Sequence, residues 1–237
     1  MKRLLSICII MAIALSANAQ SFRLGLGGGF NSTWLANANV SDQGDELDFA
    51  VTFGGSIGIE GVYGFNEKTG ISIALLYSGH NQKYEGEAGN TTVESTVKMR
   101  YLDIPILFRV TSPSGTYFEV GPQVGFLMSA DEEGDIGPDI DVKDSFEGTN
   151  IAGVLGFGVD IDVSENVIIT TGLRLGYGFT DATTEYSSQS DLNEAVGDDK
   201  VGTSTYWAHF DNKNNFGYEK TSRIFGGLKL GVTYNLK

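Results

Sequence analysis

Three features of the sequence predict an all-β fold: apolar and polar side chains alternate along long segments, short and long connections alternate between those segments, and no apolar run of about 18 residues follows residue 20. Alternation with a period of two indicates strands, and connections sorted by length are typical of a barrel that crosses a bilayer. The sequence therefore predicts an eight-stranded antiparallel up-and-down transmembrane β-barrel, formed by residues 20–237.

The first twenty residues, MKRLLSICIIMAIALSANAQ, precede this predicted domain and have the layout of a secretory signal peptide. Lys2 and Arg3 form a basic start, an apolar stretch follows, and Ala19 marks the expected cleavage site, so residues 1–19 are predicted to be removed. The alternative, a retained membrane anchor, is disfavoured because the stretch is short for a spanning helix. Cys8, the only cysteine, would leave with the peptide, and the mature chain would have no thiol.

Composition and charge narrow the possible functions. The formal charge of −14 argues against nucleic acid as a partner, because phosphates require a basic surface. Glycine is abundant at 32 residues, proline is scarce at 4, and no linker-like segment divides the chain, so one large domain is favoured over two small ones. We expect no cofactor and no resident metal.

Eight segments show alternation over a useful length, and most are longer than the five or six residues that are usual in soluble sheets. Several reach the roughly 9 to 11 residues that a tilted strand needs to cross a bilayer. In chain order they are Phe22 to Asn31, Phe49 to Phe65, Gly70 to His80, Val97 to Val110, Thr116 to Ser129, Asn150 to Val163, Val167 to Thr180, and Ser222 to Leu236.

The connections between these segments fall into two classes. The tight turns are residues 66–69, 111–115 and 164–166. The long polar connections are residues 35–48, 81–96, 130–149 and 181–221. Outer-membrane barrels have short turns on the periplasmic side and long loops outside the cell, so both termini are expected in the periplasm and four long acidic loops outside.

Each predicted strand has one apolar face and one face that carries charges. In residues 101–110, YLDIPILFRV, the apolar side chains at even positions alternate with Asp103, Pro105 and Arg109. A membrane barrel turns its apolar face outward to lipid, so the charged face should line the lumen. Pro105 lacks a backbone N–H and is expected at a bulge or a weakened pairing.

The charges assigned to the lumen are balanced in sign. An eight-stranded barrel is only wide enough to be filled by side chains, and an unpaired buried charge is costly, so we predict an ion-paired, plugged interior. The alternative is that these are solvent-facing charges of a soluble sandwich. The predicted luminal charge network consists of Arg23, Glu60, Asp103, Arg109, Glu119, Asp160, Asp162, Arg174, Arg223 and Lys229.

The run YLDIPILFRV, followed after a tight turn by YFEVGPQVGFLMSA, resembles the PorT-like family of Gram-negative outer-membrane β-barrel proteins. The resemblance covers Tyr101 to Ala130. It implies a barrel for the whole mature chain and a location in the cell outer membrane. It also implies a link to protein export, because the founding member of that family is implicated in type IX secretion, whereas most relatives have no assigned activity.

Three functions remain open at the level of sequence. The first is a nonenzymatic protein whose extracellular loops bind a protein partner, with Tyr206, Trp207 and Phe210 as expected contacts. The second is a small porin-like solute channel. The third is an outer-membrane lipid hydrolase, for which Ser78 and His80 would need a carboxylate that orients the imidazole.

Lipid is the other expected partner of what we take to be a monomeric barrel. Lys98 and Arg100 lie on the outward face beyond the apolar band, where they could meet lipopolysaccharide phosphates or simply be exposed basic residues. The acid-rich segment 131–144 could bind calcium or could be a solvated, self-repelling loop; its spacing does not match an EF-hand.

Overall fold

The computed structural model describes residues 21–42, 47–88, 91–134, 139–196, 208–210 and 215–236. The predicted signal peptide lies outside these residues. The strands of the described chain are β1 (Ser21–Ala36), β2 (Asp48–Ala50), β3 (Gly54–Gly64), β4 (Thr69–Ala88), β5 (Thr91–Thr111), β6 (Thr116–Gly134), β7 (Ile140–Asp141), β8 (Thr149–Asp162), β9 (Val167–Gly178) and β10 (Ser222–Asn235). Two α-helices, α1 (Ala38–Ser41) and α2 (Gln189–Val196), lie between strands, and neither is long and apolar enough to span a membrane.

Eight of the strands close into a ring. Neighbours around the ring are β1, β3, β4, β5, β6, β8, β9 and β10, every pair is antiparallel, and β10 pairs with β1 from Arg23↔Asn235 to Ala36↔Ser222. The two short strands stay outside the ring, where β2 pairs with β4 and β7 pairs with β6. The predicted eight-stranded up-and-down barrel is confirmed.

The two faces of the sheet have the polarity that the alternation predicts. On β5, Ile106 and Phe108 are 40% and 47% exposed, whereas Leu107 and Arg109, which alternate with them, are buried. The same alternation places large apolar side chains on the outside of the other barrel strands. A soluble protein would hide such a surface, and lipid chains are the environment that it fits.

Two connections differ from the sequence expectation. Residues 81–96, expected as a long polar loop, are mostly strand, because β4 and β5 stay paired from Thr69↔Val110 to Ala88↔Thr91. Glu85 and Glu94 of this extension are about half exposed, whereas Gln82, Tyr84 and Val97 are buried. The second expected strand also begins later, at Gly54, since residues 48–50 form the separate strand β2.

Pro105 lies where the ladder between β4 and β5 is interrupted. The pairing with β4 passes from Leu76↔Asp103 to Ile73↔Ile106, so Ile104 and Pro105 have no partner on β4, although Pro105 pairs with Gln123 of β6. A residue without an N–H can occupy this position without removing a ladder hydrogen bond. The expected weakened pairing at this proline is confirmed.

An apolar cluster fills the barrel at the end that carries the long loops, called here the loop end; the opposite end is the turn end. Inward side chains of β1, β4, β5 and β6 pack in this cluster against residues of the loops. The resulting loop-end cluster consists of Leu35, Val40, Tyr84, Val97, Met99, Tyr101, Leu127, Ala130, Val142, Phe146 and Ala182. Each of these residues is buried, so the cluster closes the loop end of the lumen with apolar groups.

Candidate functional site

A buried carboxylate, that of Glu119 on β6, lies inside the barrel and is shared by three cations. Its Oε1 is 3.0 Å from Nη1 of Arg109 on β5, and its Oε2 is 3.0 Å from Nη2 of Arg174 on β9. Nζ of Lys229 on β10 is 3.3 Å from Oε1. Four strands therefore contribute one charged group each, and charge-assisted hydrogen bonds join them across the lumen.

Lys229 joins this centre to a second carboxylate, that of Glu60 on β3. The hydroxyl of Ser72 donates to the Glu60 Oε1 at 3.2 Å. The Arg109 guanidinium also lies over the ring of Tyr117, 3.7 Å from its centroid, which adds a cation–π contact. Together these groups form the central charge cluster, defined as Glu60, Arg109, Glu119, Arg174 and Lys229.

Toward the turn end, Asp160 on β8 continues the network. Its Oδ1 accepts from Nη2 of Arg109 at 2.7 Å and from the Thr170 hydroxyl at 2.8 Å. Its Oδ2 accepts from Nη1 of Arg23 on β1 at 2.8 Å. A polar cavity of about 490 Å³ lies beyond these groups, among the turns, and Asp162 is exposed at its edge.

Toward the loop end, His80 on β4 organises a second polar layer. Its Nε2 is 2.8 Å from Oδ2 of Asp103, and its Nδ1 is 3.0 Å from the Thr33 hydroxyl. Because an ionised carboxylate only accepts, the ring donates from Nε2. Arg223 lies 3.5 Å from Oδ1 of Asp103 and donates from Nε to Oδ1 of Asn150 at 3.1 Å. These five residues are the His80 layer.

The contact between Thr33 and His80 depends on the unequal lengths of the strands. The pairing of β1 with β3 ends at Asn31↔Gly54, so the loop end of β1 lies beside β4 with no strand between them. Side chains bridge this gap. Besides Thr33 and His80, the backbone N–H of Leu35 donates to Oε1 of Gln82 at 2.9 Å.

Glycines on the inner face make room for the charged side chains. A Cβ atom at Gly27 would lie 2.5 Å from Oε2 of Glu60, and a Cβ atom at Gly125 would lie 2.6 Å from Oδ1 of Asp103. Both distances are far below van der Waals contact. The absent side chains leave the space in which these carboxylates reach their cations.

Hydrogen bonds from two asparagines fasten the loops to one another over the loop end. Nδ2 of Asn37 donates to the carbonyl of Glu219 at 2.7 Å and to the Thr221 hydroxyl at 2.9 Å. Nδ2 of Asn39 donates to the carbonyls of Ala208 and Gly217 at 2.8 and 2.6 Å. The segment after β1 is therefore tied to the segment before β10.

Asp181 adds a second set of ties between the loops. Its Oδ1 accepts from the backbone N–H of Thr221 at 3.0 Å, and its carboxylate accepts from the Tyr218 hydroxyl. Burial and this neighbouring carboxylate raise the pKa of the Tyr218 hydroxyl above its ordinary value. These tied segments form the loop cap, defined by Asn37, Asn39, Asp181, Tyr218 and Thr221.

Comparison with known protein families identifies this architecture. Residues 18–184 match the family described as outer membrane protein beta-barrel domain, which is well over half of the chain. The chain belongs to this family. Family membership and fold together indicate a location in the outer membrane. They exclude the soluble sandwich that was considered from the sequence. The narrower PorT-like membership rests on the sequence resemblance alone.

Solved structures of small outer-membrane proteins align with the barrel over most of its length, at low identity. Neisserial surface protein A has a TM-score of 0.37 at 15% identity, with 91% of this chain and 97% of that chain covered. OprG from Pseudomonas aeruginosa gives 0.38 at 10% identity, with 92% and 97% covered. AlkL gives 0.47 at 12% identity, with 93% and 92% covered. No curated protein matches the sequence.

Of the ten luminal charges named from the sequence, nine lie within the outer-membrane barrel and form ion pairs with one another. Asp162 is the exception, because it is exposed at the turn end of β8 and joins none of the ion pairs among the described residues. Sequence reasoning missed the roles of Thr33 and Asn150. The position of His80 on the inner face was visible in the alternation, but its partners depend on the closure of the barrel.

The residues considered for a hydrolase are arranged differently from what that function requires. The His80 ring is 1% exposed, and its two nitrogens contact Thr33 and Asp103 rather than the hydroxyl of Ser78. A carboxylate does orient the imidazole, as in catalytic triads. However, the hydroxyl at the other nitrogen belongs to Thr33, which is also buried.

The three aromatic loop residues that were expected to contact a partner have different outcomes. Tyr206 and Trp207 lie outside the described residues. The expectation for Phe210 is wrong, because this side chain is only 4% exposed and packs with Leu192 and Phe216 in a small core of the loop segment. From sequence alone, an aromatic residue in a long loop is easily interpreted as a surface contact. Phe210 instead stabilises the loop segment itself.

The two outward basic residues have partners on neighbouring strands. Lys98 forms an ion pair with Glu133, and Nη1 of Arg100 donates to Oδ1 of Asn81 at 3.0 Å. In the acid-rich segment 131–144, residues 131–134 and 139–144 are described. Among all described residues, no group of three or more His, Cys, Asp or Glu side chains could hold a metal ion.

Proposed function

We propose that this outer-membrane barrel is a nonenzymatic, non-conducting surface protein whose loop end binds a protein partner. The observation that carries the proposal is the filled lumen: the central charge cluster and the His80 layer cross it, and the loop-end cluster lies over them. The alternatives of a solute channel and a lipid hydrolase are less compatible with this interior.

Conduction would require a continuous water path past groups that are buried and paired. Arg109, Glu119 and Arg223 are each at most 1% exposed; Arg109 forms an ion pair with Glu119, and Arg223 forms one with Asp103. Separating one member of such a buried pair costs several kcal/mol, about 3 to 5 by analogy with other proteins. The polar cavity at the turn end stops at Arg109 and Asp160, which supports a vestibule that is blind.

Catalysis by the polar residues inside the barrel has a similar difficulty. A hydrolase needs a nucleophile that a substrate carbonyl can approach, with space for the oxyanion beside it. Thr33 and His80 are buried beneath the loop-end cluster, so no lipid or peptide could reach them without opening of the barrel. This supports a nonenzymatic role.

The loop end is suited to binding because it is tied and strongly acidic. The loop cap holds its segments in one arrangement, which lowers the entropic cost of association. Exposed acids on this side outnumber the exposed basic residues Lys143 and Lys220; the acids include Asp139, Asp141, Asp144, Glu147, Glu185, Asp191 and Glu194. We infer that the partner presents a basic surface and that electrostatic steering favours its approach.

A link to protein export is the finer part of the proposal. It rests on the resemblance of Tyr101 to Ala130 to the PorT-like family, and it agrees with a barrel that presents a binding surface without transporting solutes. Lipid is the second proposed partner. The apolar outer face meets lipid chains, and Lys98 and Arg100 lie at the level where lipopolysaccharide phosphates are expected.

The test of partner binding uses variants in which carboxylates of a loop or of the turns are replaced by neutral amides. The variants are expressed in cells from which the native gene has been deleted. One variant carries D144N and E147Q at the loop end. Its matched control carries E67Q and E165Q in the tight turns. Both should fold and insert, as judged by gel mobility with and without heating. We expect the loop variant alone to change the exported and surface proteomes in the direction of the deletion strain. Equal restoration by the two variants would refute an acidic loop-end interface.

A further inference from the structure

A small polar cavity lies between the His80 layer and the central charge cluster. It has a volume of about 50 Å³, and side chains from several strands line it. The polar residues around it include Asn31, Ser78, Asp103, Gln123, Arg174 and Lys229. Neither the ion pairs of the central charge cluster nor the hydrogen bonds of the loop cap fill this cavity.

The atoms around the cavity include both donors and acceptors that lack hydrogen-bond partners among the described residues. Gln123 is 3% exposed, and among the described residues its Nε2 has no hydrogen-bond partner. The same is true of Nε of Arg174, which is a donor, and of the acceptors Oδ1 of Asn31 and Oδ1 of Asp103, although the latter lies 3.5 Å from Nη2 of Arg223 in an ion pair. Buried polar groups are rarely left unsatisfied in native proteins, so these atoms favour a ligand that both donates and accepts.

Charge restricts the ligand further. A halide would face the carboxylate of Asp103, and a metal cation would face Arg174 and Lys229. A neutral ligand avoids both repulsions. One water molecule needs roughly 10 to 15 Å³ of such space and two to four polar partners, so the cavity fits a few waters.

We propose that this cavity is an internal hydration site, in which a small cluster of water molecules bridges Asp103 and Gln123 to Arg174 and Asn31. The waters join the His80 layer to the central charge cluster, so one hydrogen-bonded network extends from Thr33 to Asp160 near the turn end.

The test is a high-resolution crystal structure of the full mature barrel, combined with a bromide soak. We expect two or more ordered waters within hydrogen-bond distance of Gln123 Nε2 and Asp103 Oδ1, and no anomalous bromide peak. The variant Q123M keeps a similar volume but removes the donor, and it should lose at least one of these waters. The matched control T233V changes a buried luminal hydroxyl that does not line the cavity, and it should keep them all.

Magnetisation transfer from water to the Gln123 side-chain amide, measured by NMR on the parent protein in micelles, gives a second reading that needs no variant. Cross-peaks that indicate a long-lived water are expected. A well-resolved cavity without density, missing cross-peaks, or a bromide ion in place of water would each overturn the hydration site. None of these outcomes bears on partner binding at the loop end, so the two proposals fail separately.

Discussion

Arg109 and Glu119 form a buried ion pair across neighbouring strands: Nη1 of the arginine is 3.0 Å from Oε1 of the glutamate, and neither side chain is more than 1% exposed. The two residues are paired in the β5–β6 register, so the sheet itself sets their approach. Glu119 also forms ion pairs with Arg174 and Lys229. Glu119 is therefore the residue on which the charge balance of the central charge cluster depends.

Replacing this carboxylate should destabilise the barrel strongly. E119Q keeps the shape of the side chain but leaves three cations with one acceptor fewer, and we expect a loss of about 3 to 5 kcal/mol in the free energy of unfolding. Urea unfolding in detergent or bilayers measures it. E165Q, in an exposed turn, is the matched control and should change stability by no more than about 0.5 kcal/mol. Equal effects from the two variants would contradict a stabilising role for the cluster.

Close packing against the inner glycines gives a second expectation. A methyl group at Gly27 would lie 2.5 Å from Oε2 and 3.1 Å from Cβ of Glu60, so G27A should displace that carboxylate from Lys229. We expect destabilisation of about 1 to 3 kcal/mol. At Gly55, on the outer face, the nearest atom would be 3.6 Å away, and G55A should be nearly neutral. The ratio of the heat-modified to the folded gel band after graded heating ranks the two.

The asparagine ties of the loop cap should control the loops without controlling the barrel. N39A removes two hydrogen bonds, to the carbonyls of Ala208 and Gly217, and should accelerate proteolytic cleavage within residues 181–221. Barrel unfolding should shift by less than about 1.5 kcal/mol, because one or two hydrogen bonds are lost outside the ring. Q189A, at an exposed position of α2, is the control. Cleavage at the same rate in both variants would show that Asn39 does not hold the cap.

The loop cap should also loosen in alkali. The folded-state pKa of Tyr218 is raised, so the unfolded segment loses its proton first as pH rises past the ordinary tyrosine pKa of about 10, and the folded cap is then disfavoured. Its stabilising contribution is complete below that pH and decreases above it. Proteolytic protection should therefore fall above about pH 10, less steeply in Y218F and as in the parent for the exposed control Y234F. A pH profile unchanged by Y218F would contradict this origin.

Alternation was sufficient to predict much of the barrel. The faces of β5 follow from the pattern YLDIPILFRV, because lipid on one side and paired charges on the other impose a period of two. Alternation does not reveal where a ladder ends. The extension of β4 and β5 beyond His80 was missed because its outward residues are polar outside the membrane, which makes it resemble a loop in sequence.

The sequence predicted which residues form the site better than it predicted the contacts between them. Nine of the ten luminal charges could be placed by face alone, whereas Asp162 follows the same alternation but lies where the barrel opens to solvent. The pairing of Thr33 with His80 depends on β3 beginning only at Gly54, so that β1 and β4 approach each other. Phe210 could not be placed because its packing against Leu192 is a property of the folded loop.

Planar-bilayer recording of the purified barrel tests the closed lumen most directly. Folding would be verified first by the gel shift on heating. The paired charges and the loop-end cluster predict a flat baseline with no steady open-channel current across the accessible voltage range. Steady, reproducible single-channel currents from protein with this gel shift would contradict a sealed interior and would favour the solute channel.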